Sequence, residues 1–459
     1  MHSERSAPGV DDTTADRPED RATRPRARTV AARVDGLKVL AGALGELPVS
    51  VRFWDDSTVV ARGNPDAPVV LIRDEQAIAH FLRAPNQLGL GRAWVSGSLD
   101  VDGDLEGVLG LRHRVSDLSL GRLGRARLAA AALRVAGPRA LRRPPTPQCE
   151  AEPAGRLHSL RRDRASVRHH YDVSNRFYEL LLGPSMVYSC AYFANADDSL
   201  ERAQERKLEL ICRKLRLQLG ERLLDIGCGW GSLVLHAAAH HGAHALGVTL
   251  SEPQAEFARR RIAASGLADR VEVRVLDYRE LDERPFDKIA SVGMYEHVGR
   301  AQLDTYVDVV HRLLRPGGLF LNHGITRIHT QPPSGPTFIG RYVFPDGELH
   351  PVTEIIGALE SGGFEIRDVE SLREHYALTL RRWLANLAAG REAAIAEIGE
   401  ERERVWRLYM LGSAQGFEGG EIGIYQTLAV RAGAAHALPL DRSDLLLQTA
   451  SGPASPGRT

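Results

Sequence analysis

The clearest chemical signature in the chain is a glycine-rich turn near its middle. Leu223 to Gly231 reads LLDIGCGWG, an apolar strand and an acid followed by Gly-x-Gly-x-Gly at the start of a helix. Glycines let a backbone turn sharply and approach a ligand closely. A dinucleotide fingerprint would place its third glycine three residues after the second, whereas Gly227, Gly229 and Gly231 are spaced by two. The turn therefore indicates either a different cofactor or a tight strand-to-helix connection without a ligand.

Other residues with chemical potential stand far apart in the sequence, and each is ambiguous when taken alone. A single cysteine such as Cys190 is more typical of a small buried hydrophobic residue than of a ligand. His323 follows an apolar strand, where a lone histidine more often caps the strand. Tyr376 lies in a helical stretch and alone would be typical of the core. Only a constellation that unites these residues would give them a catalytic meaning.

Cysteine and histidine spacing gives no clear sign of a metal site or of disulfides. The four cysteines form no CxxC pair and no zinc-like spacing with histidine: Cys149, Cys190, Cys212 and Cys228. A disulfide framework is not expected in so long a chain, and a reducing cytosol fits better. Four histidines crowd the end of the helix after the glycine turn: His236, His240, His241 and His244. They look like a metal cluster, but the pattern favours an exposed helix end.

Length and composition limit the classes of protein that fit. The 459 residues suggest two or three domains, and 43% hydrophobic with 26% charged residues is a normal globular balance. Lys+Arg and Asp+Glu both number 59, so a protein that is basic throughout, as many nucleic-acid binders are, is not expected. The polar start lacks the apolar region of a secretory signal, and no run of about 18 apolar residues would span a bilayer.

Hydrophobic patterning divides the chain into five regions. They are a disordered arm over 1–34, a small α+β domain over 35–111, an Arg-rich linker over 112–164, an α/β domain over 165–432 and a loose tail over 433–459. In the α/β domain, apolar strand runs alternate with helical stretches, which is the pattern of a doubly wound sheet. The predicted strands are Leu223–Ile226, Ala245–Leu250, Val271–Leu276, Ile289–Val292 and Leu319–His323.

A strongly basic stretch lies between residues 112 and 168. It contains fourteen arginines and only four acids, with leucines interleaved before a proline cluster. One interpretation is a solvated linker. Another is a partly amphipathic segment that rests on anionic lipid. Nucleic acid is the weakest of the three interpretations because the stretch lacks interleaved aromatic residues.

Several motifs, taken in order, resemble one enzyme family. They are HYDVSN from His170, YSCAYF from Tyr188, LDIGCGWG from Leu224, GVTLS from Gly247, EHVG from Glu296, RYVFPDG from Arg341 and HYALTLRRW from His375. This set closely resembles the cyclopropane fatty acid synthase family, over about residues 165 to 432. The glycine turn is similar to the first motif of class I S-adenosylmethionine-dependent methyltransferases. The resemblance implies a Rossmann-like doubly wound sheet with a helical lid and, from residues 91–105, the small N-terminal domain of the longer synthases.

The resemblance also assigns residues to a cofactor and to an anion. S-adenosylmethionine would be held by Tyr188, Ser189, Asp225, Gly227, Cys228, Gly229, Gly231, Thr249, Leu250, Gln254, Asp277 and Tyr278. Asp225 and the glycines would hold the methionine part, Thr249 and Gln254 the ribose, and Asp277 and Tyr278 the adenine. Bicarbonate would be bound by the catalytic residues Cys190, Glu296, His323, Tyr376 and the backbone at Ile325. The family more often has threonine where Gly324 stands.

The implied activity is that of a cyclopropane-fatty-acyl-phospholipid synthase. Methyl transfer to a cis double bond would leave a carbocation, stabilised by aromatic rings such as Tyr295, Tyr192 or Phe193, before bicarbonate-assisted loss of a proton. A different proton loss would instead give a methylene- or methyl-branched chain. A small-molecule methyltransferase and a non-catalytic lipid-binding module fit less well. The expected partner is an unsaturated phospholipid at the membrane surface, approached from the cytoplasm, and the longer synthases suggest a homodimer.

Overall fold

The structure is a computed structural model that describes residues 48–61, 66–111, 130, 134–152, 154–171, 173–328, 335–436 and 438–442. These residues divide into two compact units, Met1–Pro145 and Thr146–Thr459. The arm predicted over 1–34 lies outside the described residues, as do most of residues 112–133 and the tail from 443 onward. In the described residues, no helix has the length and apolar character needed to cross a membrane.

The first unit contains a small mixed sheet with three helices. Its elements are β1 (Ser50–Phe53), β2 (Thr58–Val59), β3 (Val69–Ile72), α1 (Glu75–Arg83), α2 (Gln87–Val95), β4 (Leu99–Asp102) and α3 (Leu105–Gly110). The strand order is β2-β1-β3-β4, in which only the β1–β3 pair is parallel. An acidic side chain caps α1, since Asp74 accepts a hydrogen bond from the backbone N–H of Gln76.

Helix α2 forms although its sequence contains two glycines, Gly89 and Gly91. The Asn86 side chain caps the helix by accepting from the N–H groups of Leu88 and Gly89. A Cβ on Gly89 would lie 2.1 Å from the carbonyl oxygen of Ala84, so this glycine permits a close approach of the backbone. Trp94 is buried on the same helix. Burial and capping therefore outweigh the low helix propensity of glycine at this position.

The second unit contains one large sheet with helices on both faces. Before the sheet come α4 (Leu160–Tyr171), α5 (Asn175–Leu182) and α6 (Leu200–Lys214). The alternating part comprises β5 (Arg222–Ile226), α7 (Ser232–His241), β6 (His244–Thr249), α8 (Glu252–Ala264), β7 (Val271–Val275), β8 (Phe286–Val292), α9 (Leu303–Leu313) and β9 (Leu314–Arg327). The last part comprises α10 (Phe338–Tyr342), α11 (Val352–Ser361), β10 (Phe364–Ser371), α12 (Arg373–Ala389), α13 (Arg391–Ile398), α14 (Glu400–Glu418) and β11 (Ile422–Arg431).

The sheet order confirms the predicted doubly wound topology. The seven strands run β10-β11-β9-β8-β5-β6-β7, and the five strands from β9 to β7 are parallel. β11 is antiparallel to both β9 and β10, an edge that the sequence analysis did not predict. The chain reverses its direction of strand addition between β5 and β8, which is where such sheets bind ligands.

The central strands are buried on both faces. On β5, Leu223 packs in a core with Ile211 of α6 and Val234 of α7, whereas the adjacent Leu224 packs with Val310 of α9 and Leu359 of α11. Successive side chains of a strand point to opposite faces, so a continuous apolar run fits a sheet covered by helices on both sides. This double burial fixes the ends of the strands, which carry the candidate site.

Candidate functional site

A cavity opens at the carboxyl ends of β5, β6, β7 and β8. Eleven of the twelve residues assigned to a cofactor line it: Tyr188, Ser189, Asp225, Gly227, Cys228, Gly229, Thr249, Leu250, Gln254, Asp277 and Tyr278. The twelfth, Gly231, lies behind the wall, where a Cβ would meet the Cβ of Ala258 at 3.0 Å. The structure thus brings residues from Tyr188 to Tyr278, about ninety positions of sequence, around one cavity.

The glycine turn is fixed to the neighbouring strand by its own backbone. The N–H groups of Gly227 and Cys228 donate to the carbonyl oxygen of Val248, at 2.9 and 3.0 Å. Gly227 has φ +83° and Gly231 has φ +81°, conformations that side chains other than glycine rarely adopt. Gly231 then caps α7 at its N-terminus. The turn therefore has a fixed shape before any ligand enters.

Asp225, the last polar side chain of β5, is a buried acid that faces the cavity. It is only 2% exposed, and its Oδ1 has no hydrogen-bond partner among the described residues. Burial raises the pKa of this carboxyl to about 7, although Lys207 acts in the opposite direction. An unsatisfied buried carboxylate is costly, so this position suits a ligand that brings a cationic or hydrogen-bonding group.

Lys207 is a cavity residue that the sequence analysis missed. Its ammonium donates a 2.9 Å hydrogen bond to the Ser189 hydroxyl, and burial lowers its pKa to about 8. A signal was present in the spacing of α6. Leu200, Gln204, Lys207, Leu208 and Ile211 follow the helical period that marks a buried stripe. A lysine on such a stripe needs a polar partner, which here is the cavity wall.

The end of β6 supplies a neutral polar pair, as predicted for the ribose side. The Thr249 hydroxyl donates to the Gln254 side-chain oxygen at 2.8 Å, and the Ser251 N–H donates to Thr249. Ser251 also caps α8 by accepting from the Gln254 N–H. Both Thr249 and Gln254 are buried. The pair is therefore held in place by the first turn of α8.

The end of β7 carries Asp277 and Tyr278, the predicted adenine side. Asp277 accepts hydrogen bonds from the Arg279 guanidinium at 2.7 and 2.8 Å and from the Arg279 backbone N–H. Its carboxylate is therefore already engaged by a neighbouring cation. The Tyr278 ring packs edge-on against Tyr306, with the ring centroids 5.8 Å apart. Burial and this contact fix the ring as a flat part of the cavity wall.

Helix α4 lies at the edge of the cavity and is held there by two ion pairs. Arg162 makes two 2.6 Å contacts to the Asp346 carboxylate, and Arg279 contacts Asp163 at 2.8 Å. Ser166 adds a 3.0 Å hydrogen bond to Asp346. Asp163, Ser166, Arg279 and Asp346 all line the cavity. These contacts fasten the first turns of α4 beside the opening, in the position expected for a helical lid.

The five residues predicted to be catalytic do not line this cavity, but the structure links several of them. Glu296 is buried, and its Oε1 accepts a 2.7 Å hydrogen bond from the backbone N–H of Ile325. Its Oε2 has no partner among the described residues. Burial raises the pKa of Glu296 to about 7, and the Ile325 hydrogen bond opposes this shift. Such a carboxyl can accept or release a proton near neutral pH.

His323, Cys190 and Tyr376 complete the predicted set. His323 is fully buried, with Nδ1 3.0 Å from the Gln426 amide nitrogen and Nε2 unpartnered within the described chain. Burial holds the pKa of His323 well below its usual value. Burial raises the pKa of Tyr376 well above its usual value. The carbonyl oxygen of Leu372 links Tyr376 to Cys190, since it accepts from the Tyr376 N–H and lies 3.7 Å from Cys190 Sγ.

Tyr295 occupies the space beside Gly324, where the family more often has threonine. A Cβ on Gly324 would lie 2.9 Å from Cδ1 of the Tyr295 ring. Tyr295 is fully buried, and its hydroxyl has no partner among the described residues. The small residue at 324 and the large ring at 295 therefore fit each other, next to the Glu296 hydrogen bond.

An aromatic cluster adjoins the cavity. Tyr171 and Tyr188 line the cavity, and Tyr188 packs against Trp383 with ring centroids 5.2 Å apart. The hydroxyl groups of Tyr188 and Tyr409 are 3.3 Å apart. Of the rings suggested by the sequence, Tyr192 instead stacks on a histidine and, like Phe193 and Tyr295, does not line the cavity. The aromatic rings that line the cavity thus include Tyr171 and Tyr188, together with Trp230 and Tyr278.

Comparisons with known proteins agree with this geometry. Residues 158–427 match the family model described as mycolic acid cyclopropane synthetase. A "probable fatty acid methyltransferase" of Pseudomonas putida is 41% identical over 406 residues, covering 87% of this chain and 96% of that protein. The cyclopropane-fatty-acyl-phospholipid synthase of Escherichia coli is 38% identical over 275 residues, covering 60% of this chain and 70% of that protein.

The fold is similar to that of a solved structure from the same family. A mycolic acid cyclopropane synthase complexed with SAH and CTAB is 35% identical, with a TM-score of 0.56, and covers 58% of this chain and 98% of its own. The predicted class I methyltransferase fold is confirmed by this likeness. The comparisons include both cyclopropane synthases and fatty acid methyltransferases, so they agree on the type of reaction and differ in the named product.

Proposed function

The chain belongs to the mycolic acid cyclopropane synthetase family of S-adenosylmethionine-dependent methyltransferases, and we propose that it methylates the double bond of an unsaturated fatty acyl chain. The observation that carries this proposal is the buried Glu296 carboxylate. One of its oxygens is held by the Ile325 N–H, the other is free among the described residues, and its pKa is raised to about 7 by burial. Such a group, together with the anion that it would hold, suits removal of a proton after methyl transfer.

The cavity residues fit the cofactor that the family uses. Asp225 would bind the amino group of the methionine part, because its Oδ1 is buried without a partner. Thr249 and Gln254 would face the ribose, and the Tyr278 ring would pack on the adenine. When bound there, S-adenosylmethionine supplies a methyl group activated by a sulfonium. The chain's own contribution is to fix this methyl in line with the substrate.

Aromatic rings beside the cavity fit the charge that develops on the substrate. An alkene is a weak nucleophile, and once methylated it becomes a carbocation. Tyr171 and Tyr188 line the cavity together with Trp230 and Tyr278, and aromatic ring faces stabilise a cation. Burial also keeps the phenols of Tyr171 and Tyr188 protonated by raising their pKa, which limits their own methylation.

Two of the residues predicted to bind an anion carry buried polar atoms without partners among the described residues, which supports a small anion near Glu296. They are Glu296 Oε2 and His323 Nε2. This donor and acceptor set fits the bicarbonate that the resemblance implies, which would be a proton acceptor when bound. Glu296 and His323 would hold it, and Cys190 and Tyr376 would complete the pocket. The depressed pKa of His323 keeps its imidazole neutral, so that it can share a proton with the anion.

The place from which the proton leaves determines the product. Loss of a proton from the new methyl group with ring closure gives a cyclopropane, and the chain would then be a cyclopropane-fatty-acyl-phospholipid synthase. A hydride shift from the methylated carbon before the methyl group loses its proton gives a methylene branch, and loss from a chain carbon gives a methyl-branched alkene. The branched product is a second candidate because the relative named as a fatty acid methyltransferase matches over 96% of its length, whereas the E. coli synthase matches over 70%.

The proposed acyl carrier is a phospholipid at a membrane surface. The arginine excess between residues 112 and 168 supports this choice because anionic head groups attract clustered arginines. The E. coli relative is named for a phospholipid substrate, which adds support. An intact glycine turn and an intact Glu296 argue against a non-catalytic lipid-binding protein.

A product assay tests the proposal. Purified protein is incubated with S-adenosylmethionine and vesicles of monounsaturated phosphatidylglycerol, and fatty acid methyl esters are analysed by mass spectrometry before and after mild hydrogenation. A gain of CH2 that resists hydrogenation means a ring, and a gain that then takes up hydrogen means a methylene branch. Saturated vesicles are the control. No gain on unsaturated lipid, with cofactor bound, would contradict the proposal.

A further inference from the structure

Four potential metal ligands meet at the end of α7 that lies away from the glycine turn. Glu209 and Cys212 come from α6, and His236 and His241 come from α7. Glu209 Oε2 lies 3.1 Å from His236 Nε2 and 3.0 Å from His241 Nε2. One ligand atom each of Cys212, His236 and His241 lies within 4.8 Å of the other two. One sulfur and two imidazoles therefore lie close together, and one carboxylate oxygen contacts both imidazoles.

These separations suit a tetrahedral zinc ion. With bonds of about 2.0–2.1 Å to nitrogen and oxygen, neighbouring ligand atoms of a tetrahedron lie about 3.3 Å apart. The two measured distances between carboxylate oxygen and imidazole nitrogen are close to this value. Cysteine, histidine and glutamate are all established zinc ligands, and the mixture of soft sulfur with nitrogen disfavours magnesium or calcium. The geometry therefore favours zinc over the hard cations.

Burial distinguishes this cluster from an ordinary surface pair. Cys212 is fully buried, and the His236 side chain is 8% exposed, whereas Glu209 reaches solvent. The Cys212 sulfur therefore lies on the inner side of the cluster, and the Glu209 carboxylate lies on the outer side. An ion can reach the cluster from solvent along the Glu209 side. His240 and His244 are exposed, as predicted from the sequence, but His236 and His241 are not.

We propose that Glu209, Cys212, His236 and His241 bind a zinc ion that links α6 to α7. The site is separate from the methyl-transfer site. His241 lies nine residues beyond Ser232, which places it about 13 Å along the helix. Both helices nevertheless reach the cavity, through Lys207 on α6 and Ser232 on α7. The ion would therefore be a structural metal. It would hold together the two helices that supply Lys207 and Ser232 to the cavity wall, without lining the cavity itself.

Metal analysis of the untagged full-length protein tests this site. The protein is exposed to excess Zn²⁺, desalted and measured by inductively coupled plasma mass spectrometry. We expect about one zinc per chain in the wild type and a loss of at least about fivefold in H241A and C212S. The matched control is H244A, which removes an exposed histidine three residues beyond His241 and should retain zinc. H241A changes a partly exposed side chain, so it remains informative if C212S fails to fold.

Cobalt substitution and unfolding identify the ligands independently of activity. Co²⁺-loaded wild type should show visible bands of a tetrahedral ion together with a thiolate-to-metal charge-transfer band, and C212S should lose the latter. A chelator should lower the thermal midpoint of wild type and H244A by several degrees but leave H241A unchanged. Zinc retained by an H236A/H241A double variant would overturn the proposal. A wild-type protein that retains no zinc would also overturn the proposal. Glu209 would then serve only as the ion-pair partner of His236 and His241.

Discussion

The backbone N–H of Ile325 holds one carboxylate oxygen of Glu296 at 2.7 Å, which joins the turn after β8 to the carboxyl-terminal end of β9. The pairing of β9 with β8 ends at His323, whereas Ile325 still pairs with Ile424 of β11, so the sheet fixes this donor from one side. The carboxylate is thereby oriented with its other oxygen free of partners among the described residues. A buried carboxyl held in this way retains a raised pKa and a defined direction for its proton.

The first prediction concerns the pH dependence of turnover. A base with a pKa of about 7 is mostly protonated at pH 6 and mostly ionised at pH 8, so kcat/KM should rise about tenfold between these values. E296Q should lose the rise and fall at least about 100-fold in activity at pH 8. Cofactor affinity should change less than about threefold, since Glu296 does not line the cavity. The profile is measured with phospholipid vesicles.

A matched substitution separates this effect from a general effect of removing a charge. Glu360 is exposed on α11, and E360Q should keep the wild-type profile. Full activity of E296Q at pH 8 would show that Glu296 is not the proton acceptor. A flat profile in the wild type, with E296Q inactive, would assign Glu296 a positioning role instead.

The second prediction concerns Asp225 and ligand affinity. Its pKa of about 7 means that the carboxylate which would bind the ligand's amino group forms as the pH rises. Calorimetry with S-adenosylhomocysteine should therefore show an approximately tenfold lower Kd at pH 8 than at pH 6. D225N should bind at least about tenfold more weakly at pH 8, with little pH dependence. Tight, pH-independent binding by D225N would exclude this contact.

The third prediction couples Lys207 to that same carboxyl. The Lys207 charge lowers the pKa of Asp225, so K207M should move the midpoint of the affinity profile to higher pH. The expected result is weaker binding at pH 7 and recovery at pH 9. Lys214 is a suitable comparison because it is also buried on α6 but pairs with Asp368 and Glu370. K214M should lower stability while leaving the midpoint unchanged.

The fourth prediction uses two glycines with opposite surroundings. G324A would place a Cβ 2.9 Å from the Tyr295 ring and should destabilise the protein by about 1–3 kcal/mol. Gly357 on α11 has open space where its Cβ would go, so G357A should stabilise by about 0.5–1 kcal/mol. Thermal midpoints measure the difference. If G324A melts like the wild type and keeps its activity, the ring at 295 is free to move aside.

The cofactor half of the site was predictable because its signals are local. The glycine turn, the apolar strand before it and the polar residues after β6 each lie within a few residues of a strand end. In a parallel sheet, the carboxyl ends of adjacent strands meet at one edge, so such residues converge. Lys207 also left a local signal, since it falls on the buried stripe of α6.

The remaining features depended on long-range packing. The Glu296–Ile325 contact joins residues 29 apart, and no periodicity in the sequence specifies it. Strands β10 and β11 each follow a helix. Their antiparallel pairing joins segments that are far apart in the chain, so no local pattern specifies it. Similarly, the pairing of Glu209 with His236 requires two helices to pack side by side. The histidine spacing alone therefore suggested an exposed helix end.

The paired contacts of α4 have a kinetic consequence. Arg162 and Asp163 are neighbours of opposite charge, and each is fastened to a different residue at the cavity opening. All four side chains are mostly buried, so dissolved salt weakens the contacts little. Movement of the start of the helix then requires both pairs to break together. We expect a ligand that exchanges past this helix to have a residence time set by that opening, which would place an upper limit on the rate of turnover.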